Sequence, residues 1–125
     1  MLRAHTDLNV VPSPFLREVL GSFGIEARVV ANTMDLEAFR YRVRDPLRPR
    51  LRSTRNFAPL YHVACTLRAF AGVQQQYPDA SLTVIGSGSQ DAALRGLAAE
   101  LRLRHVTFLG KVPPAAIARH YADAD

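Results

Sequence analysis

The stretch "SLTVIGSGSQDAALRGLAAEL", residues 81–101, constrains the fold more than any other part of the chain. It opens as a compact β-rich run, breaks at two glycines set among serines, and continues as an amphipathic helix. The same order recurs on either side. A weaker strand around Arg50–Thr54 precedes a long helical pattern, and "HVTFLG" leads through the loop "KVPP" into "AAIARHYADAD". Strand and helix alternating three times implies a parallel sheet with right-handed crossovers, so the fold class is α/β.

The longest helix is read from spacing. Leu60, Val63, Ala64, Leu67, Phe70, Ala71 and Gln74 recur at three and four residues and share one face. Pro78 and Asp79 should end that helix near Tyr77. Upstream, Ser13 suits an N-cap, Pro14 the first helical position and Gly24 the residue past the end, which predicts a helix over 14–23. A short strand in "EARVVAN" follows, stopped by Asn32. "TMDLEAF" then reads as a turn, with Asp35 capping one helical turn over Leu36 and Phe39. Both chain ends read as cut, because each falls within or beside a helix.

Composition narrows the class. A hydrophobic fraction of 48% with 22% charged residues is that of a soluble globular protein. No apolar run approaches the roughly 20 residues that span a bilayer. His5 and Asp7 stand where a signal-peptide core would lie. A single cysteine, Cys65, fits a reducing cytoplasm, and its helical surroundings suggest a core position rather than a nucleophile.

The net charge of +5 comes almost wholly from arginine, with Lys111 the only lysine. The densest stretch is "RYRVRDPLRPRLRSTR", Arg40 to Arg55. A basic stripe can bind a phosphate backbone. It can equally be a solvated loop between elements, which Pro46 and Pro49 favour. No recognised DNA or RNA motif accompanies it, so nucleic acid is not the expected partner.

Two glycine turns remain. "VIGSGSQ" puts Gly86 and Gly88 between a buried strand and a helix N-terminus, where backbone can approach an anionic ligand. It matches neither a dinucleotide fingerprint nor a Walker loop, and glycine there also serves a purely conformational need. Ser89 is the expected N-cap of the following helix, with Asp91 in its first turn. "FLGKVPP" is the second turn. Arg55, Gly86 and Gly110 follow three successive predicted strands and should share one sheet edge, where open α/β sheets bind ligands. Arg55 would supply a bidentate charge for phosphate. The histidines at 5, 62, 105 and 120 lack ligand spacing, and no catalytic triad can be assembled. Neither metal nor cofactor is expected.

Taken in order, "VVPSPFLREVLGSFGIEARVVANTMDLEAF", an arginine before a helix containing "LRAF", "YPDASLTVIGSGSQDAALRGLAAEL" and "VTFLGKVPPAAIARHYADAD" resemble the family 4 group of GT-B glycosyltransferases. The resemblance runs from about Asn9 to Asp125. It implies a Rossmann-like, incomplete C-terminal donor domain over residues 32–125, preceded at 1–31 by the end of the acceptor domain and the linker. It also implies sugar transfer from a nucleotide-diphosphate sugar to a saccharide or lipid-linked acceptor, with retention of configuration and without a bound metal. Polysaccharide biosynthesis at a cytoplasmic location is the implied setting, compatible with peripheral membrane contact. On this match Arg55 contacts the donor pyrophosphate, Gly86, Ser87 and Gly88 border the donor site, and Gly110, Lys111 and Val112 form the turn that reads the nucleobase.

Two departures qualify the match. The family's usual lysine–glycine pair after the arginine is replaced by Tyr61 and His62, so the second phosphate clamp carries a hydroxyl where a charge is usual. The glutamates that hold sugar and ribose would lie beyond Asp125. The expectation is therefore a partial glycosyltransferase with no catalytic residue of its own and negligible turnover alone. A non-catalytic nucleotide-binding remnant or interaction module is the alternative.

Overall fold

Two compact units divide the computed structural model, one ending at Asp35 and one starting at Leu36; the structure describes residues 6–125. His5 lies outside the described residues.

The first unit is a small β–α–β repeat. Strand β1 (Val10–Val11) runs parallel to β2 (Arg28–Val29), in register Val10 to Arg28 and Val11 to Val29. Helix α1 (Pro14–Ser22) connects them. Its start follows from the sequence: the Ser13 hydroxyl accepts a hydrogen bond from the Leu16 N–H at 3.2 Å, and Pro14 opens the first turn. Its end follows as well. Gly24 takes a left-handed conformation (φ 66°), and the Ile25 N–H returns to the Leu20 carbonyl at 2.9 Å.

The second unit carries the sheet. Strands β3 (Arg50–Thr54), β4 (Ser81–Ile85) and β5 (Val106–Gly110) lie in that order, and both pairings are parallel. Helices α2 (Val63–Gln76), α3 (Asp91–Glu100) and α4 (Pro114–Ala122) follow them in turn. Leu82 and Val84 of β4 point to one face and meet Val63, Leu67 and Phe70 of α2 and Leu94 and Ala98 of α3 in a single core. Each of these buried valine, leucine and phenylalanine side chains contributes roughly 1.5–3 kcal/mol over its exposed state. The α/β class read from the alternation is the one observed.

Several local expectations change. Helix α2 begins at Val63, because Pro59–Tyr61 forms a separate 3-10 turn, and Leu60 on that turn is 78% exposed. Cys65 is exposed; it lies off the stripe of Val63, Leu67, Phe70 and Gln74 that α2 buries. Gln90 takes the N-cap of α3 in place of Ser89, without a side-chain cap bond. Residues 36–39 form the expected turn.

The arginine run also reads differently in three dimensions. The Asp125 side chain, 2% exposed, receives Arg50 through both oxygens and Arg42 at 2.9 Å, and its Oδ2 accepts the Arg48 backbone N–H. Arg42 and Arg44 donate in addition to the carbonyls of Ala122, Ala124 and Tyr121, the last turn of α4 and the residues past it. Cations at the carbonyl end of a helix complement its dipole. Arg42, Arg44 and Arg50 are thus structural ties, not solvated loop charges. Burial alone would push the Asp125 carboxyl up, but hydrogen bonds from Arg50, Arg42 and the Arg48 N–H outweigh it and hold the carboxyl below the usual carboxylate range.

Candidate functional site

Parallel strands release their following loops at the same edge, and here the strand ends are aligned. Thr54 is in register with Ile85, and Ile85 with Gly110. Arg55, Gly86 and Lys111 therefore each stand one residue beyond a common line. The β4–β5 register slips between Val84 and Ile85, which pair with Phe108 and Gly110 and leave Leu109 out. A bulge of this kind beside a loop cluster re-aims the chain leaving the strand.

The three loops are bonded to one another. The Gly86 N–H donates to the Gly110 carbonyl at 2.9 Å. The Phe57 N–H donates to the Ser87 carbonyl and the Phe57 carbonyl accepts from the Gln90 N–H, each at 2.9 Å. The approach is close enough to require glycine. A Cβ on Gly86 (φ 152°) would fall onto the Arg55 carbonyl oxygen, and one on Gly88 (φ 155°) would lie 2.5 Å from the Phe57 carbonyl oxygen. Gly86 and Gly88 are thus fixed as glycines by the neighbouring Arg55–Phe57 backbone.

This packing leaves donors over. The Ser87 carbonyl is taken by Phe57 and the Gly88 carbonyl by the Asp91 N–H at 3.2 Å. The N–H groups of Ser87, Gly88 and Ser89 make no hydrogen bond among the described residues. Successive unpaired amides ahead of a helix are suited to an anion. Asp91, in the first turn of α3, is held by Arg95 at 2.5 Å, so its charge is offset.

Arg55 is exposed, and its guanidinium forms no ion pair or hydrogen bond among the described residues. Its one described contact is the Tyr61 ring, 5.9 Å from the guanidinium carbon to the ring centroid. Tyr61, 40% exposed, closes the 3-10 turn, and His62 after it is left-handed (φ 48°, ψ 37°). Histidine is among the few non-glycine residues enriched there. The structure thus brings Arg55, Tyr61, Gly86, Ser87, Gly88 and Gly110 to one edge, with exposed Lys111 and half-buried Val112 following Gly110.

Sequence reasoning missed Phe57. It is fully buried, sits at 6.2 Å edge-to-face with Phe108, and binds the glycine loop through its own backbone. The available signal was a large apolar residue two places after Arg55, in a loop that was otherwise read only for its charge.

An open depression of about 860 Å³ lies in the first unit, lined by Asn9, Arg17, Glu26, Arg28 and their neighbours. None of the sequence-predicted site residues lines it. Among the described residues no three His, Cys, Asp or Glu side chains gather to hold a metal, and no helix is long and apolar enough to cross a membrane.

Comparison with known proteins bears on what such an edge serves. The family model described as glycosyl transferases group 1 matches residues 48–125. Phosphatidyl-myo-inositol mannosyltransferases of Mycobacterium tuberculosis and Mycobacterium bovis are 34% identical over 113 residues, covering 86% of this chain and 29% of their own length. The chain therefore spans well under half of the curated relatives it matches. Among solved structures, the pneumococcal O-GlcNAc transferase GtfA in complex with UDP and GlcNAc superposes with a TM-score of 0.73 at 19% identity, covering 90% of this chain and 24% of that one. A complex of an S. aureus TarM variant with fondaparinux, alpha-GlcNAc-glycerol and UDP gives 0.67 at 14% identity, covering 82% and 21%. At these identities the structural likeness speaks to the fold alone.

Proposed function

This chain belongs to the group 1 glycosyl transferases, and on that premise we propose that it supplies part of the donor side of a retaining, family 4 enzyme. The enzyme transfers a hexosyl group from a nucleotide-diphosphate sugar to a saccharide or lipid-linked acceptor in the cytoplasm. Residues 32–125 are the first part of the donor domain, and residues 1–31 the end of the acceptor domain with its linker.

The observation that carries the reading is one unpaired guanidinium beside three unpaired amides. Arg55 and the N–H groups of Ser87, Gly88 and Ser89 stand at neighbouring loops of a single sheet edge and, among the described residues, have no hydrogen-bond or ion-pair partner. In sugar transfer the diphosphate is the leaving group and gains charge as the glycosidic bond breaks. Fixed donors aimed at that charge stabilise the transition state more than the ground state. Arg55 takes phosphate oxygens in a fork, while the Tyr61 ring steadies the guanidinium. Gly86 and Gly88 let the loop lie against the arginine strand, and Gly110, Lys111 and Val112 border the nucleoside. Support comes from the family match and from the UDP held by the two glycosyltransferase structures of the same fold.

Calorimetric titration of the chain with UDP, GDP and ADP tests the reading. One diphosphate should bind, and Arg55→Ala should weaken it about 10- to 150-fold, the loss of one charge-assisted contact worth roughly 1.5–3 kcal/mol. No binding of any of the three, or binding indifferent to Arg55→Ala, overturns it. Turnover by the chain alone should be negligible, because transition-state stabilisation needs both walls of the cleft.

A further inference from the structure

Phe57 sits between the Arg55 loop and the glycine loop, fully buried from solvent. Its N–H takes the Ser87 carbonyl and its carbonyl takes the Gln90 N–H, so one residue clamps the glycine loop from both sides. The consequence is chemical. With the Ser87 carbonyl occupied by Phe57 and the Gly88 carbonyl by Asp91, the loop retains amide donors at Ser87, Gly88 and Ser89 and loses two competing acceptors. Exposed amide donors in succession, with two of the loop's carbonyls turned to partners inside the protein, suit an anion.

The ring serves the same end. It lies under Gly86, where a Cβ would meet ring carbon Cε1 at 3.0 Å, and it abuts Phe108 edge-to-face. Phe108 is covered in turn by the Arg95 guanidinium at 4.7 Å, and Asp91 of the first α3 turn holds Arg95. The stack therefore runs from the start of α3 to the residue two places after Arg55.

We infer that Phe57 is a positioning residue for diphosphate binding: it fixes the Arg55 loop against the glycine loop, so that the guanidinium and the free amides address one anion. The inference rests on the donor-site reading above. It adds to that reading that phosphate affinity is set by a buried aromatic side chain that never touches the ligand.

The test uses the diphosphate, among UDP, GDP and ADP, that the unaltered chain binds tightest. Phe57→Leu keeps the core filled but shortens the floor under Gly86. Phe70→Leu is the control, an equally buried phenylalanine that belongs to the same core but is outside the edge. Affinities are measured below the melting transitions of all the variants. Phe57→Leu should weaken diphosphate binding about tenfold and abolish the ligand-induced shifts of the Ser87, Gly88 and Ser89 amide NMR signals, while Phe70→Leu leaves both unchanged. Should Phe57→Leu fail to fold, Gly88→Ala displaces the same clamp at the Phe57 carbonyl without altering the core, and it should give the same two losses. Unchanged affinity in these edge variants, or equal losses in Phe57→Leu and Phe70→Leu, overturns the inference while leaving the donor site standing. Absence of diphosphate binding in the unaltered chain overturns both.

Discussion

Gly86 lies so close to the Arg55 carbonyl that no side chain could be added to it without moving one of the two strand-ending loops. The contact joins the residue proposed to bear the charge to the loop proposed to bear the amides. It also separates glycines held by space from glycines held by nothing. Gly72 in α2 and Gly96 in α3 have no heavy atom within 4 Å of where a Cβ would be.

The contrast gives the first prediction. Gly86→Ala should lower the melting temperature and weaken diphosphate binding together, since the methyl must displace backbone and such strain typically costs 1–3 kcal/mol. Gly96→Ala should do the opposite, stabilising by about 0.5–1 kcal/mol through a less flexible unfolded chain and better helix propensity. Thermal melts of the two variants in parallel check both signs. Equal destabilisation would mean that the close approach at Gly86 is not what selects glycine there.

Tyr61 and Arg55 supply the second. A guanidinium over an exposed ring is worth about 0.5–1 kcal/mol, and a phosphate-directed hydroxyl about the same. The two roles separate by substitution. If the ring steadies Arg55, Tyr61→Phe binds diphosphate as the unaltered chain does and Tyr61→Leu binds it about two- to fivefold more weakly. If the hydroxyl reaches phosphate, both variants lose equally. The geometry favours the first pattern, because the described contact is with the ring.

Where the sequence was informative, the reason was local. Ser13, Pro14 and Gly24 delimit α1 because capping is settled within a few residues, and parallel β3, β4 and β5 follow from alternation alone. The edge shared by Arg55, Gly86 and Gly110 was legible for the same topological reason. What stayed hidden depends on residues far apart in the chain. Asp125 lies 75 residues from Arg50, so neither position announces the bond that makes the arginine run structural. Cys65 was misplaced because apolar neighbours in the same helix were the only guide, whereas burial follows the face, and Cys65 lies off the face of Val63, Leu67, Phe70 and Gln74. Phe57 was hidden because the groups it holds, Ser87, Gln90 and Phe108, lie far from it in the chain.

His62 supplies the third prediction. It holds a left-handed conformation at the junction of the 3-10 turn and α2, without a side-chain cap bond. Glycine takes that conformation without a Cβ penalty of roughly 1–2 kcal/mol. His62→Gly should therefore raise the melting temperature, by a few degrees for a stabilisation of about 1 kcal/mol in a domain of this size. His62→Val should lower it, since a β-branched residue is least tolerant there. Circular-dichroism melts decide the matter, and a lower transition for His62→Gly would mean the imidazole makes a compensating contact.

Asp125 supplies the last, and its direction follows from linkage. The folded carboxyl titrates below its ordinary value of 3.8, because the hydrogen bonds from Arg50, Arg42 and the Arg48 N–H outweigh the cost of burial. The unfolded chain thus binds the proton more readily than the folded one, and stability from this group is present above the unfolded pKa. It is lost as pH falls through the folded pKa, once the proton removes the charge that Arg42 and Arg50 hold. Asp125→Asn lacks that charge at every pH, so it should melt below the unaltered chain at neutral pH. The gap should hold down to about pH 5 and narrow progressively as the pH drops below the ordinary carboxylate range. Melting curves of both chains from pH 7 to pH 2.5 at fixed ionic strength give the gap directly. A gap that stays constant across the window would show that the arginines hold the Asp125 side chain by shape and not by charge.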